Sequence, residues 1–203
     1  SVYFRDPDGN LVELYADVIS DWWTVRHGII IKKKPEWVPG VTSPPITEAR
    51  YPIDPEIGIV DGAVFQPLGT SHTALTTSRF EPMLAYYTGI VGLSVFAVDV
   101  DRQFAVLSGT AANCGLTLLR VAEGETTGLH HVGFPLRGEA DLERALAALS
   151  AVRVPLENEI DHPARRCVNI RDPDGLRLQF YVDRDWTPDC VSKVSAEDAP
   201  HLL

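Results

Sequence analysis

From residue 71 onward the apolar positions alternate between two periods, and the order in which they do so repeats. Ser71 to Thr77 alternates and predicts a strand. Phe80 to Val91 then carries Met83, Leu84, Tyr87 and Ile90 or Val91 at helical spacing, with Ser78 as the expected cap. Three apolar or β-branched runs follow, Leu93 to Val100, Gln103 to Leu107 and Gly115 to Val121, divided by Asp-rich or small-residue turns. The same order starts again at Leu129 to Leu136. A helix is predicted over Ala140 to Val152, where Leu142, Leu146 and Leu149 share one face, and strands are expected near Val154 to Glu157, Cys167 to Ile170 and Leu176 to Val182. The expectation is an α+β fold of two βαβββ units.

A second repeat is local. Ser1 to Asp17 and Cys167 to Asp183 are identical at eight of seventeen positions, and both contain Arg-Asp-Pro-Asp-Gly. Pro presets the backbone for a type I turn and Gly accepts the left-handed conformation after it, which predicts a three-residue hairpin loop with a bulge. With that loop Asp6 pairs with Asn10, Tyr3 stands opposite Glu13, and Asn169 stands opposite Gln179. The Asp6, Asp8, Asp172 and Asp174 carboxylates superficially suggest calcium, but the loop is far shorter than an EF-hand and the turn chemistry accounts for them.

These patterns divide the chain into a hairpin at 1–17 that ends an upstream module, a Trp- and Pro-rich connector at 18–67, a paired-module domain at 68–186 and a tail at 187–203. The connector holds Trp22, Trp23 and Trp37 and is expected to be packed, since disordered linkers are poor in aromatics.

Composition adds mainly exclusions. A net charge of -10 disfavours nucleic acid or an anionic membrane surface as a partner. The one basic cluster, Lys32 to Lys34 after Ile29 to Ile31, reads as a strand running into a solvated loop. No apolar run approaches the roughly 18 residues of a membrane span, so a cytoplasmic location is expected. Cys114, Cys167 and Cys190 have no Cys-x-x-Cys spacing and read as reduced bystanders.

The first strands of the two units carry matching histidines, His72 in His-Thr-Ala-Leu and His131 in His-Val-Gly-Phe. Strand alternation points only one of His130 and His131 inward, and the matching residues that follow select His131. Paired βαβββ units with these histidines, and an acidic position after Asp-Pro-Asp-Gly, resemble the vicinal oxygen chelate superfamily of glyoxalases, bleomycin-binding proteins and extradiol dioxygenases. The resemblance implies a cup-like mixed sheet with a divalent metal at its centre. Tyr ten residues before Glu, as Tyr3 and Glu13 stand, is similar to the two-domain extradiol enzymes, whose ligands are two His and one Glu on Fe(II).

Carried over position by position, the resemblance makes Glu13, His72, His131 and Gln179 the metal-position residues, with Tyr3 and His162 as catalytic residues. It departs from the family where Gln179 replaces Glu and Asn169 replaces Tyr, so Fe(II) is expected to bind poorly in the C-terminal domain. The function implied is a non-haem Fe(II) extradiol dioxygenase acting on a catechol-like aromatic and O2, with the metal site in the N-terminal domain and this chain alone inactive. The alternatives are a metal-free ligand-binding or scaffold protein, or a glyoxalase- or isomerase-like enzyme using Mn, Zn or Ni. A homo-oligomer is expected. So is an upstream piece held as a separate chain, because the repeat aligns Ser1 just after a position equivalent to Arg166 in a protease-accessible loop.

Overall fold

The computed structural model describes residues 2–14, 57–109 and 114–203; most of the connector, at 18–56, lies outside the described residues. The chain divides into two compact units, one of Ser1–Phe4 with Leu11–Gly58 and one of Arg5–Asn10 with Ile59–Leu203.

In the first unit, strands β1 (Val2–Arg5) and β2 (Leu11–Leu14) pair as a two-stranded ribbon. The Tyr3 hydroxyl donates to Glu13 Oε1 at 2.6 Å, which is the cross-strand pair expected of a three-residue loop.

The second unit contains the turn of that ribbon, and the turn is built as in the second copy. Asp6 Oδ1 accepts from the Asp8 and Asn10 amides at 3.1 and 2.8 Å, as Asp172 Oδ1 does from Asp174 and Leu176 at 3.0 and 2.8 Å. Gly9 and Gly175 both have φ of 89°, the left-handed conformation that selects glycine there. Arg5 and Arg171 each donate from Nη1 to the glycine carbonyl of their own turn.

An eight-stranded mixed sheet forms the body of the unit. Its strands are β3 (His72–Thr77), β4 (Ser94–Val98), β5 (Phe104–Ser108), β6 (Leu116–Arg120), β7 (Gly128–Pro135), β8 (Leu156–Asp161), β9 (Arg165–Arg171) and β10 (Arg177–Asp183). Their order is β4-β5-β6-β3-β7-β10-β9-β8, so the first strands of the two modules, β3 and β7, lie side by side and antiparallel at the centre. Each pairs in parallel with the last strand of its own module, β3 with β6 and β7 with β10. Helix α1 (Phe80–Gly89) and helix α2 (Glu139–Val152) are the module crossovers.

The helices bury most of the expected stripes, but Ile90 is 68% exposed and Leu146 is only partly buried. Phe80, Met83, Leu84 and Tyr87 face inward from α1, and Leu142, Ala145 and Leu149 from α2. One face of the second module's sheet supplies Val168, Ile170 and Phe180 to the cluster with Leu142 and Leu149, and Phe65 stacks on Phe180 at 3.7 Å. Several boundaries differ from the sequence reading: α1 stops at Gly89, two residues before Val91, and β9 starts at Arg165, two residues before Cys167. Arg79, not Ser78, takes the cap position of α1, and the Arg79 amide donates to Thr77 Oγ1 at 2.9 Å. Strand β8 begins at Leu156, after Pro155, which has no N–H to donate to a ladder.

The opposite face of the sheet holds a second cluster. Ala74, Val106, Cys167 and Tyr181 meet Val191, Val194, Ala199, Leu202 and Leu203 from the segment after β10. That segment contains the short helices α3 (Pro188–Val191) and α4 (Ala199–Leu202), and Leu202 and Leu203 are fully buried. The residues set apart in the sequence as a tail thus form part of the core.

Candidate functional site: the centre of the cup

The register brings the candidate residues into two adjacent rows. Asn158, Asn169, Gln179, Gly133 and His72 lie side by side on β8, β9, β10, β7 and β3. Beside them, Arg177, His131, Ala74 and Thr117 do the same on β10, β7, β3 and β6. His72, His131 and Gln179 are almost fully buried, and the two imidazoles meet edge to face with centroids 5.7 Å apart.

The small residue of His-Val-Gly-Phe, which the sequence reading used only as part of the match, makes room for this. Gly133 pairs across the strands with His72, and a Cβ at position 133 would lie 2.0 Å from His72 Cε1. Gly133→Ala is therefore expected to push the ring off its position and to lower stability by about 1–3 kcal/mol. Equilibrium denaturation measures it, and an unchanged midpoint would show that the ring has another place to go.

His130 does not point away from His131 as simple alternation predicts. The β3–β7 register slips between Ala74 and Leu75, leaving His130 as the extra residue of a bulge, so its Nδ1 lies 2.8 Å from His131 Nδ1. Hydrogen-bond direction then fixes the protons. Arg177 Nη1 donates to His130 Nε2 at 2.7 Å, so neutral His130 carries its proton on Nδ1, gives that bond to His131, and leaves His131 with N–H at Nε2. On the other imidazole, Tyr181 O–H donates to Ser71 Oγ and Ser71 donates to the Gly133 carbonyl, so His72 Nδ1–H donates to Ser71 and its Nε2 is a bare acceptor. Both Nε2 atoms are buried without a hydrogen-bond partner.

Burial keeps these rings neutral. It lowers the His72 pKa to about 3, assisted by the Arg165 guanidinium, and lowers His131 well below 6.5, where the adjacent His72 and His130 imidazoles and the Arg177 and Arg165 guanidiniums also oppose a proton. His130 is lowered to about 4 by burial and then by Arg177.

Arg165 is the residue that sequence reasoning missed. It is fully buried, with its guanidinium carbon 3.6 Å from the Tyr181 ring centre and 3.7 Å from that of Trp186. Its Nε donates to Asp183 at 2.7 Å, and its Nη1 donates to Gln179 Oε1 and to the Leu202 carbonyl, both at 3.2 Å. In the sequence it is one of two arginines in a polar loop, with nothing to mark it as buried.

Two neutral imidazoles are the nitrogen half of a facial metal set. The rest of this centre does not fit Fe(II). Gln179 brings no charge, its oxygen faces a guanidinium, and its Nε2 donates to the His201 carbonyl at 2.9 Å. His131 presents a proton rather than a lone pair, and Arg165 places a positive charge where a dication would need a carboxylate. Among the described residues no group of three or more His, Cys, Asp or Glu side chains could hold a metal ion.

Tyr3 and Glu13 form their own pair on the β1–β2 ribbon, with Tyr3 57% exposed. His162 sits in the β8–β9 turn, where its Nδ1 accepts from the Ala164 amide at 3.1 Å. The three cysteines are free thiols, and burial raises the Cys167 pKa to about 12. No helix among the described residues is long and apolar enough to cross a membrane.

Two βαβββ modules joined through their first strands, with a histidine on each, define a chelate-type cup. The Glyoxalase/Bleomycin resistance protein/Dioxygenase superfamily matches residues 69–180, and the chain belongs to that superfamily. Among curated relatives, biphenyl-2,3-diol 1,2-dioxygenase 2 of Rhodococcus globerulus is 25% identical over 128 residues, covering 59% of this chain and 65% of the relative. Catechol-2,3-dioxygenase of Bacillus subtilis (strain 168) is 29% identical over 119 residues, covering 56% and 41%. The matches thus span less than two thirds of these relatives. Among solved structures, an extradiol ring-cleaving dioxygenase from B. fuscum aligns with a TM-score of 0.53 at 17% identity, covering 64% of this chain and 36% of the other. The Mn(II)-bound glyoxalase from Novosphingobium aromaticivorans gives 0.51 at 18%, covering 59% and 40%. At such identity these structures support the fold alone.

Proposed function

We propose that the protein is a non-haem Fe(II) extradiol-type dioxygenase for a catechol-like aromatic, with its carboxylate centre on the β1–β2 ribbon and a supporting, iron-free role for the C-terminal cup. The observation that carries this reading is the contrast between two equivalent hairpins. One pairs a phenol with a carboxylate, Tyr3 on Glu13 at 2.6 Å; the other pairs two amides, Asn169 and Gln179, whose donors are turned to the His201 carbonyl. The distant similarity to ring-cleaving dioxygenases supports the reaction class.

On this reading residues 1–17 close an upstream module, which supplies the imidazole ligands, and 18–67 connects it to the domain at 68–186. The metal would supply oxygen activation and a binding point for the two substrate oxygens. Glu13 would contribute the negative charge that holds the cation, and the Tyr3 hydroxyl holds its proton 2.6 Å from that carboxylate. The test is iron per chain and O2-dependent cleavage of catechol in the full-length protein. Glu13→Gln should remove both, with activity falling by about 100-fold or more, while Tyr3→Phe should lower kcat with iron retained. Iron that survives Glu13→Gln and is lost in Gln179→Ala would move the centre to the C-terminal cup and overturn the assignment.

A further inference from the structure

Three successive main-chain carbonyls enter the centre of the cup. The His201 carbonyl accepts from Cys167 Sγ at 3.2 Å, Asn169 Nδ2 at 2.8 Å and Gln179 Nε2 at 2.9 Å. The Leu202 carbonyl accepts from Arg165 Nη1 at 3.2 Å, and the Leu203 carbonyl from Thr117 Oγ1 at 2.9 Å. Five donors from three strands, β6, β9 and β10, therefore converge on these three oxygens of the pentapeptide Ala199 to Leu203.

The fit is incomplete, and the defect has a sign. His72 Nε2, His131 Nε2, Arg165 Nη2 and Asn169 Oδ1 are all buried with no hydrogen-bond partner. Leaving a buried polar group unpaired is costly, so four of them on strands β3, β7 and β9 of one sheet mark a centre shaped for a more polar occupant than leucine. Arg165 Nη2 and His131 Nε2–H are donors, and lifting the pentapeptide would free one N–H each of Asn169 Nδ2, Gln179 Nε2 and Arg165 Nη1, while Asn169 keeps its bond to Asn158 Oδ1 and Arg165 its bond to Gln179 Oε1. Donors then outnumber acceptors around a buried guanidinium whose ion-pair partner, Asp183, is 40% exposed. That combination suits an anion with two coplanar oxygens, bound bidentately by Nη1 and Nη2. The space that Leu202 and Leu203 would vacate lies in the apolar cluster with Tyr181, and Trp186 packs at its margin.

We infer that residues 199–203 are a displaceable plug seated in a metal-free anion site centred on Arg165, and that the site takes a small aromatic carboxylate when the plug lifts. This inference concerns a different centre from the one proposed on Tyr3 and Glu13 and does not depend on it.

Hydrogen exchange in the unaltered chain tests it, with benzoate as the probe. The His201 and Leu202 amides donate to the Asp198 carbonyl and Leu203 to that of Ala199, so their protection comes from local turn bonds and not from the sheet. If the segment is a plug, these amides should exchange about tenfold or more faster than the β9 and β10 ladder amides, through a local opening. Millimolar benzoate should accelerate them further while leaving the ladder protected. The acceleration should be absent in Arg165→Met and much reduced in Arg165→Lys, which keeps the charge and loses the planar fork. Amides at 201–203 that exchange only with the ladder would make the segment permanent core and overturn the plug. Fast exchange that benzoate does not alter, or alters equally in Arg165→Lys, would overturn the carboxylate site.

Discussion

Arg165→Ala is expected to lower the unfolding free energy by about 3–5 kcal/mol, among the largest effects of any single substitution in this chain. The guanidinium is fully buried between the Tyr181 and Trp186 rings, so truncation opens a cavity that two aromatic faces cannot readily close. It also leaves Gln179 Oε1 and the Leu202 carbonyl without their Arg165 donor. Asp183 contributes less to the loss, because it is 40% exposed and water can replace its partner. Arg165→Met should cost clearly less than Arg165→Ala, since it refills the volume and brings no unpaired charge. Urea denaturation of the three proteins decides the matter. Equal losses in Ala and Met would assign the whole effect to the charge and none to packing.

The second large expectation is acid sensitivity in a range where surface histidines have little influence. An unfolded imidazole takes up its proton near pH 6.5, whereas folded His72 does so only near pH 3, because burial and Arg165 oppose the charge. Between those values the unfolded state holds more protons, so stability is fully present above pH 6.5 and falls as the pH falls. At pH 4.5 His72 alone should remove about 2–3 kcal/mol relative to neutral pH. His131, shifted in the same direction, adds to this. Below pH 4.5 the loss continues through Glu157, whose carboxyl is held at about 2 chiefly by its hydrogen bonds with Arg177 and Arg171. Urea midpoints at pH 7 and pH 4.5 provide the measurement. A difference below about 1 kcal/mol would mean that the cup opens to protonate its histidines at little cost.

The first expectation rests on Arg165, which nothing in the sequence marked, and the second on two histidines that the sequence did mark. Local chemistry was legible where it is local. Asp-Pro-Asp-Gly encodes its own turn, so the loop length, the Asn169–Gln179 register and the Tyr3–Glu13 contact follow from counting outward along two strands. The two βαβββ units were legible for the same reason, since periods of two and 3.6 are properties of each segment alone. The first strand of each unit carried its histidine in a matching context, and the structure sets those strands side by side.

What the sequence determined by itself is therefore the set of elements, their order within each module, and the pairing within each hairpin, because each is a short-range consequence of side-chain pattern and turn geometry. Only the tertiary structure decided what occupies the centre. The bulge that turns His130 toward His131 arises from a register slip between strands of different modules. The space for His72 depends on Gly133 across a strand pair 61 residues distant in sequence. Arg165 and residues 199–203 reach the cup because a fully formed sheet presents donors from three strands to one short segment, an arrangement that no single segment encodes.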